Sequence, residues 1–409
     1  MKIHTILLLI ACWPVLCSAQ ANWRTEFQSV TPTNFDAGGA VSHQFHLNAE
    51  SYLTTATVTA PSEAHPLDTA LKPELAQLMV HHRNGEDAFS AYVATEPWLS
   101  SAIVLHQGQI VFEAYPRMRV DQRHLAWSVS KAITAGVIAA LVHDGLVELN
   151  RPVSSYVPAL ADSAWADLRV RDVLDMASGI DCLDSDGYQN PTACIYRMEE
   201  TMGITADQGY PATLIEHMAN MSSHRTAGEQ FEYVSANTNV LGLIAEDATD
   251  LPFATVLSDQ IWRPMGGETD ALVIINEDGY SYASGGVIVR LRDLARFGQL
   301  FIDPTRYDVF SKDLVEAMQR QDGVPFSAER QAQLAKWFED DAPVRAGWQW
   351  DMIWDDGAMF KGGYLGQGLY VDPDRDLVIA WFGTGEDYSA KQNEMLMIAR
   401  QIVRSDWLN

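Results

Sequence analysis

Trp127-Ser128-Val129-Ser130-Lys131, continued by Ala132-Ile133-Thr134-Ala135-Gly136-Val137-Ile138-Ala139-Ala140-Leu141-Val142-His143-Asp144-Gly145, is the stretch on which the fold turns. It predicts an apolar helix that closes near Gly145, with a serine hydroxyl and a lysine amine three residues apart at its start. Residues three apart share a helix face, so the amine reaches the hydroxyl and can help to deprotonate it. Serine needs such a partner to act as a nucleophile, which makes Ser128 and Lys131 a candidate covalent centre. The competing reading is an N-cap serine followed by a solvated lysine, and the five residues alone do not separate the two.

The flanking segments supply a frame. Upstream, Ala102-Ile103-Val104-Leu105-His106 and Gln109-Ile110-Val111-Phe112-Glu113-Ala114-Tyr115 read as two strands joined around Gly108 as a hairpin. Downstream, Arg169 to Gly179 reads as a short helix stopped by glycine. Asn237 to Ala248 presents a helical face at Val240, Leu241, Leu243, Ile244 and Ala245, and Leu291 to Phe301 is an amphipathic helix introduced by Ser284-Gly285-Gly286. The chain then returns to strands. Gly368-Leu369-Tyr370-Val371 and Leu377-Val378-Ile379-Ala380-Trp381-Phe382 flank Asp372-Pro373-Asp374-Arg375-Asp376, and residues 389–405 form a last amphipathic helix. Strands at both ends around a helical middle predict an α/β (α+β) protein. One antiparallel sheet is built from both chain ends and flanked by helices, a mostly helical second lobe sits beside it, and a cleft lies between the lobes.

With 28 basic and 54 acidic residues the net charge is −26, a surface that repels nucleic acid and anionic lipid headgroups. Met1 to Thr5 is a short basic region, Ile6 to Leu16 an apolar run, and Cys17-Ser18-Ala19-Gln20 a small-x-small site. This reads as a signal peptide over residues 1–19, cut after Ala19, and predicts an exported, periplasmic or secreted chain. The run is too short to span a bilayer. Lipid attachment at Cys12, in Leu9-Ile10-Ala11-Cys12, is the weaker alternative. Removing the leader leaves Cys182 and Cys194 in one turn-rich loop, and in an exported protein that placement favours a disulfide. His43/His46 and His81/His82 lack acidic or cysteine partners that would complete a metal site, so neither metal nor another cofactor is expected. Residues 20–75 show little periodicity and read as an N-terminal extension packed on a main domain of residues 76–409.

Taken in order, these segments resemble the serine β-lactamase and penicillin-binding superfamily, closest to its class C-like branch, which includes family VIII carboxylesterases and 6-aminohexanoate-oligomer hydrolases. The resemblance runs from about residue 80 to 405. It rests on Trp127 to Lys131, Asp144 to Val153, Leu174 to Gly179, Phe231-Glu232-Tyr233-Val234-Ser235-Ala236-Asn237 leading to Leu241-Gly242, Ser284 to Gly286 with Arg292 to Gly298, and Gly363-Tyr364-Leu365-Gly366-Gln367. By that resemblance Ser128 is the acylated nucleophile, Lys131 its activating partner and Tyr233 a proton relay, with the order of proton transfer between Lys131 and Tyr233 left open. Ser235 stands where many members carry asparagine, as the oligoamide hydrolase branch often shows, and by the resemblance it is a substrate-binding residue. Gly363 and Tyr364 fall in the oxyanion segment, where the backbone N–H of Tyr364 would join that of Ser128.

The Lys-Thr-Gly motif of β-lactamases and peptidases is missing. Lys361-Gly362-Gly363 resembles it superficially, but its spacing to the final hairpin suits a Gly-x-x-Gly-Gln variant, and Lys361 receives no role. The resemblance therefore implies an exported serine hydrolase that cleaves ester or linear amide bonds of small molecules through an acyl-serine. A β-lactamase or D,D-peptidase, or a penicillin-binding sensor that does not turn over, are the alternatives. Trp348, Trp350, Trp354 and Phe360 either line an apolar acyl pocket or pack in the core, and the Cys182–Cys194 loop is a candidate lid element.

Overall fold

The structure, a computed structural model, describes residues 24–320, 322–385 and 391–408. The signal-peptide reading and the Cys12 alternative lie outside the described residues. Strands β1 (Leu99–His106) and β2 (Gln109–Ala114) form the early hairpin, with Gln107 and Gly108 both at positive φ (52° and 74°). A two-residue turn with both φ values positive matches the right-handed twist of the strands it joins.

Helices α1 (Val129–His143), α2 (Cys194–Thr201), α3 (Ser235–Thr249) and α4 (Leu291–Ile302) follow. Strands β3 (Arg345–Gly347), β4 (Trp350–Ile353), β5 (Met359–Gly363), β6 (Gln367–Asp372) and β7 (Leu377–Gly383) come next, and α5 (Lys391–Arg404) closes the chain. The main sheet runs Val324–Pro325, β3, β4, β5, β6, β7, β1, β2, Asp68–Thr69. The β7–β1 pairing, from Leu377 opposite His106 to Gly383 opposite Leu99, joins the two chain ends as the sequence predicts.

Both faces of this sheet are covered, which explains why β7 is apolar throughout rather than alternating. Ile103, Leu105, Val378, Ala380 and Phe382 pack into the core shared with α1 and α4, whereas Val104, Ile379 and Trp381 pack with α5 on the other face. Gly298 lets α4 lie flat on the sheet: a Cβ there would come within 2.6 Å of Val378 Cγ1. Trp348, Trp350 and Trp354 are fully buried, so core packing is their role. Phe360 stacks on Trp381 and also reaches the cleft described below.

A second sheet of Thr55–Val58, Ala271–Ile274, Val287–Val289 and His124–Leu125 fixes two segments that matter for chemistry. Its last strand enters the Ser128 turn, and Val287–Val289 emerges from Ser284-Gly285-Gly286. The stretch before residue 76 thus contributes edge strands to both sheets. Strands of two to four residues carry too few alternations to register as a sequence period.

Candidate active site

Helix α1 is apolar all round and buried all round, with every residue from Val129 to Leu141 inside. Gly136 permits this, because a Cβ there would meet Phe297 of α4 at 2.8 Å. The helix's few polar groups turn toward one neighbour. Val287 N donates to Ser130 Oγ (3.0 Å), Thr134 Oγ1 donates to Ala283 O (2.8 Å), and Lys131 Nζ donates to Ser284 O (2.9 Å). Ser284 N is in turn held by Asn239 Oδ1 of α3 (3.0 Å).

Lys131 is 1% exposed and donates to Ser128 Oγ at 3.0 Å. Burial drives its ammonium toward the neutral form and brings its pKa down to about 7, against the pull of Asp184. Ser128 begins the helix directly after Trp127, which sits at φ 45°, a left-handed conformation costly for a bulky residue. The indole N–H of Trp127 donates to His46 Nε2 (2.6 Å), which holds that turn from the N-terminal segment.

Tyr233 lies between two lysines. Its ring centroid is 5.1 Å from Lys131 Nζ and 4.5 Å from Lys361 Nζ, and Lys361 donates to its hydroxyl at 3.1 Å. Lys361 is fully buried on β5, paired with Asp351 of β4; burial lowers its pKa and Asp351 opposes that shift. The other oxygen of Asp351 accepts from Gly362 N (3.0 Å).

Helix α3 starts without a side-chain cap of its own, and the cap comes from far away in sequence. Asp184 accepts from Ser235 N (2.7 Å) and from Ser235 Oγ (2.5 Å), placing a carboxylate at the positive end of the helix. Asp184 sits in the loop closed by the Cys182–Cys194 disulfide, and it also accepts from the Tyr188 hydroxyl. Ser235 is buried and faces Asp184, outside the cleft lining.

At the end of β5, Gly363 approaches the segment before the serine: a Cβ would stand 2.7 Å from Ala126 O. Tyr364 follows, and the chain turns through Leu365 and Gly366 at φ 68° and 114° into β6. Ser128, Tyr233, Gly363 and Tyr364 line one cleft of about 480 Å³, together with Tyr188, Phe231 and Phe360. A narrow recess behind Ser128 is walled by Asp36, Glu199 and Tyr282. Glu199 is buried and accepts from Tyr282 OH (2.7 Å); burial raises its pKa to about 8.

A beta-lactamase family profile matches residues 100–403. The chain belongs to the beta-lactamase family. It is 32% identical over 292 residues to the 6-aminohexanoate-dimer hydrolase of Paenarthrobacter ureafaciens, covering 70% of this chain and 72% of that one. Among solved structures it is similar to a Bacillus anthracis protein provisionally named a 6-aminohexanoate-dimer hydrolase (TM-score 0.77, 22% identity, 92% of this chain and 96% of that one). It is also similar to EstCE1, a hydrolase with promiscuous acyltransferase activity (TM-score 0.58, 13% identity, 75% of this chain and 94% of that one). The two solved structures establish the fold; the profile and the curated relative establish a beta-lactamase-family serine hydrolase. The family and fold read from the motifs hold.

Four groups near the site carry no clear mark in the sequence. Lys361 has no role in the sequence reading because its spacing to the final hairpin suits the Gly-x-x-Gly-Gln variant, yet its ammonium reaches the Tyr233 hydroxyl. The lysine that opens Lys361-Gly362-Gly363 is the available signal. Asp184 and Tyr188 lie inside the loop suggested as a lid element, and both side chains reach the site. Glu199 had no local signal, since only the packing of α2 against the recess brings it near Ser128.

Proposed function

We propose that this family member cleaves ester or linear amide bonds through an acyl-enzyme on Ser128. The observation that carries the reading is the buried Lys131 amine, 3.0 Å from Ser128 Oγ and half-neutral near pH 7. Neutral Lys131 takes the hydroxyl proton as Oγ bonds to the substrate carbonyl carbon. The backbone N–H groups of Ser128 and Tyr364 face the negative oxygen of the tetrahedral intermediate. Collapse breaks the bond to the leaving alcohol or amine, which takes a proton from Tyr233. The Lys361 ammonium stabilises the oxygen that gives up this proton, and Lys131 returns one to it. Water then attacks the acyl-serine and restores the enzyme. Ser235 serves indirectly, fastening Asp184 and its loop behind Tyr233.

Lys361 does not favour a β-lactamase or peptidase reading. Its charge is engaged with Asp351 inside the sheet, and Gly362 offers no hydroxyl where those enzymes carry threonine. The relative's named activity, hydrolysis of a 6-aminohexanoate dimer, supports linear amides as one substrate class here. The leader-like first residues and the disulfide support export, and residues 76–409 are the hydrolase domain.

A fluorophosphonate probe on the purified mature chain tests the reading. Labelling of wild type and loss of labelling in Ser128→Ala are expected. An unlabelled wild type, or equal labelling of the variant, would overturn it. Acylation by penicillins without turnover would point instead to a sensor.

A further inference from the structure

Two residues of the N-terminal segment stand beside the nucleophile. Phe35 and Asp36 are buried, and both line the recess behind Ser128. The Phe35 ring centre lies 6.0 Å from that of Trp127 and 5.0 Å from that of Phe45, which is itself 6.3 Å from Trp127. Trp127 meets Tyr364 edge-on at 6.2 Å, and Tyr364 meets Tyr188 edge-on at 5.8 Å. Polar atoms close the circuit. Gln189, next to Tyr188 in the disulfide loop, donates from Nε2 to Asp36 Oδ2 (2.6 Å).

The circuit runs past both backbone donors assigned to the oxyanion, at Ser128 and Tyr364. Trp127 needs its support: at φ 45° a bulky residue holds a conformation that persists only where the surroundings enforce it. The rigid peptide plane after Trp127 carries the Ser128 N–H, so the Trp127 dihedrals aim that donor. His46 grips the indole N–H while Phe35 and Phe45 pack on the rings. The Tyr364 ring is held between Trp127 and Tyr188, and Tyr188 is anchored through its neighbour Gln189. An oxyanion donor lowers the barrier only when it is already aimed at the place the charged oxygen will take.

We infer that Phe35 and Asp36 are positioning residues for the reaction: Phe35 braces the turn before Ser128, Asp36 clasps the loop that braces Tyr364, and together they aim the two oxyanion donors. The inference rests on the acyl-serine reading above and adds a function for the N-terminal segment.

Asp36→Ala and Gln189→Ala break the clasp from either side, and Asp36→Asn keeps an acceptor for Gln189. Gln189 is exposed, so its variant opens the clasp without disturbing the core. One readout is kcat and KM for a p-nitrophenyl ester, per site titrated with a fluorophosphonate. A second is inhibition by phenylboronic acid, whose boron bonds to Ser128 Oγ and sets a hydroxyl where the oxyanion would lie.

Both alanine variants should lose about tenfold in kcat with KM within about twofold of wild type, and phenylboronic acid should weaken by about the same factor as kcat. Asp36→Ala/Gln189→Ala should be no worse than either single variant, and Asp36→Asn should stay close to wild type. Unchanged kcat and inhibition in both alanine variants, a loss confined to KM or to the number of titratable sites, or additive losses in the double variant would overturn the inference. Hydrogen exchange reads the same positioning without turnover. Within residues 127–131 and 363–367, Ser130 N bonds to Trp127 O and Gly366 N to Gly363 O. Peptides covering these residues should exchange faster in the alanine variants and not in Asp36→Asn, and unchanged exchange in both segments contradicts the inference. A wild type that neither hydrolyses esters nor binds phenylboronic acid sinks the acyl-serine reading alone, and the exchange result then decides on Phe35 and Asp36.

Discussion

At the residue scale, one cause gives Lys131 its chemistry and its cost: removal of its amine from water. Because that amine must be neutral to accept a proton, kcat/KM for a neutral ester should rise with pH through an acid limb near 7 and level above it. A flat profile from pH 5 to 9 in steady-state assays would refute the assignment. Lys131→Arg keeps a charge that cannot be shed and should lose about 10²- to 10⁴-fold in kcat. Glu199 offers a stability test of opposite sign. Its pKa is raised to about 8, so the folded state holds a proton that the unfolded chain releases above about 4.5. Its burial therefore costs stability progressively from about pH 4.5 to 8. Urea denaturation of Glu199→Gln should match wild type near pH 5 and exceed it by a few kcal/mol near pH 8, on the order set by such a shift.

At the scale of elements, the site is a meeting of helix starts and strand ends held by contacts distant in sequence. The Ser128 helix is readable because its candidate nucleophile, partner and apolar run are contiguous, and both hairpins are readable from short apolar runs and the turn residues between them. The cap of α3 is not. It is an aspartate 51 positions upstream of Ser235, and nothing local marks it. The same holds for Lys361, whose partners Tyr233 and Asp351 come from other elements. The disulfide spans 12 residues and ties down the loop that supplies Asp184 and Tyr188. Cys182→Ser/Cys194→Ser should lose about 2–4 kcal/mol in chemical denaturation. It should also lose kcat/KM at temperatures where it stays folded, because Asp184 no longer fixes the start of α3. Retained kcat/KM in the folded variant would show that the loop does not position the site.

On the scale of the whole molecule, the N-terminal segment ties into both sheets and reaches the turn before Ser128 through His46. Sequence reading placed it against the main body without seeing these links, because its strands are short and its key contact is a single buried hydrogen bond between His46 and Trp127. The net charge of −26 acts on the molecule as a whole. Like charges spread over one surface repel, and the repulsion is screened within about 10 Å at 0.1 M salt. The midpoint of thermal unfolding should therefore rise as sodium chloride increases from about 10 mM to about 150 mM, measured by scanning calorimetry. A falling midpoint would mean that internal ion pairs such as Arg296–Asp293 outweigh surface repulsion.

The central claim is that Ser128 carries the acyl group during turnover. Rapid acid quenching of enzyme mixed with a p-nitrophenyl ester, followed by peptide mass spectrometry, measures this directly. One acyl group on the peptide containing Ser128, appearing with the burst of p-nitrophenol and absent from Ser128→Ala, is the predicted result. Steady turnover with no acylated peptide, or with the acyl group on another residue, would contradict it.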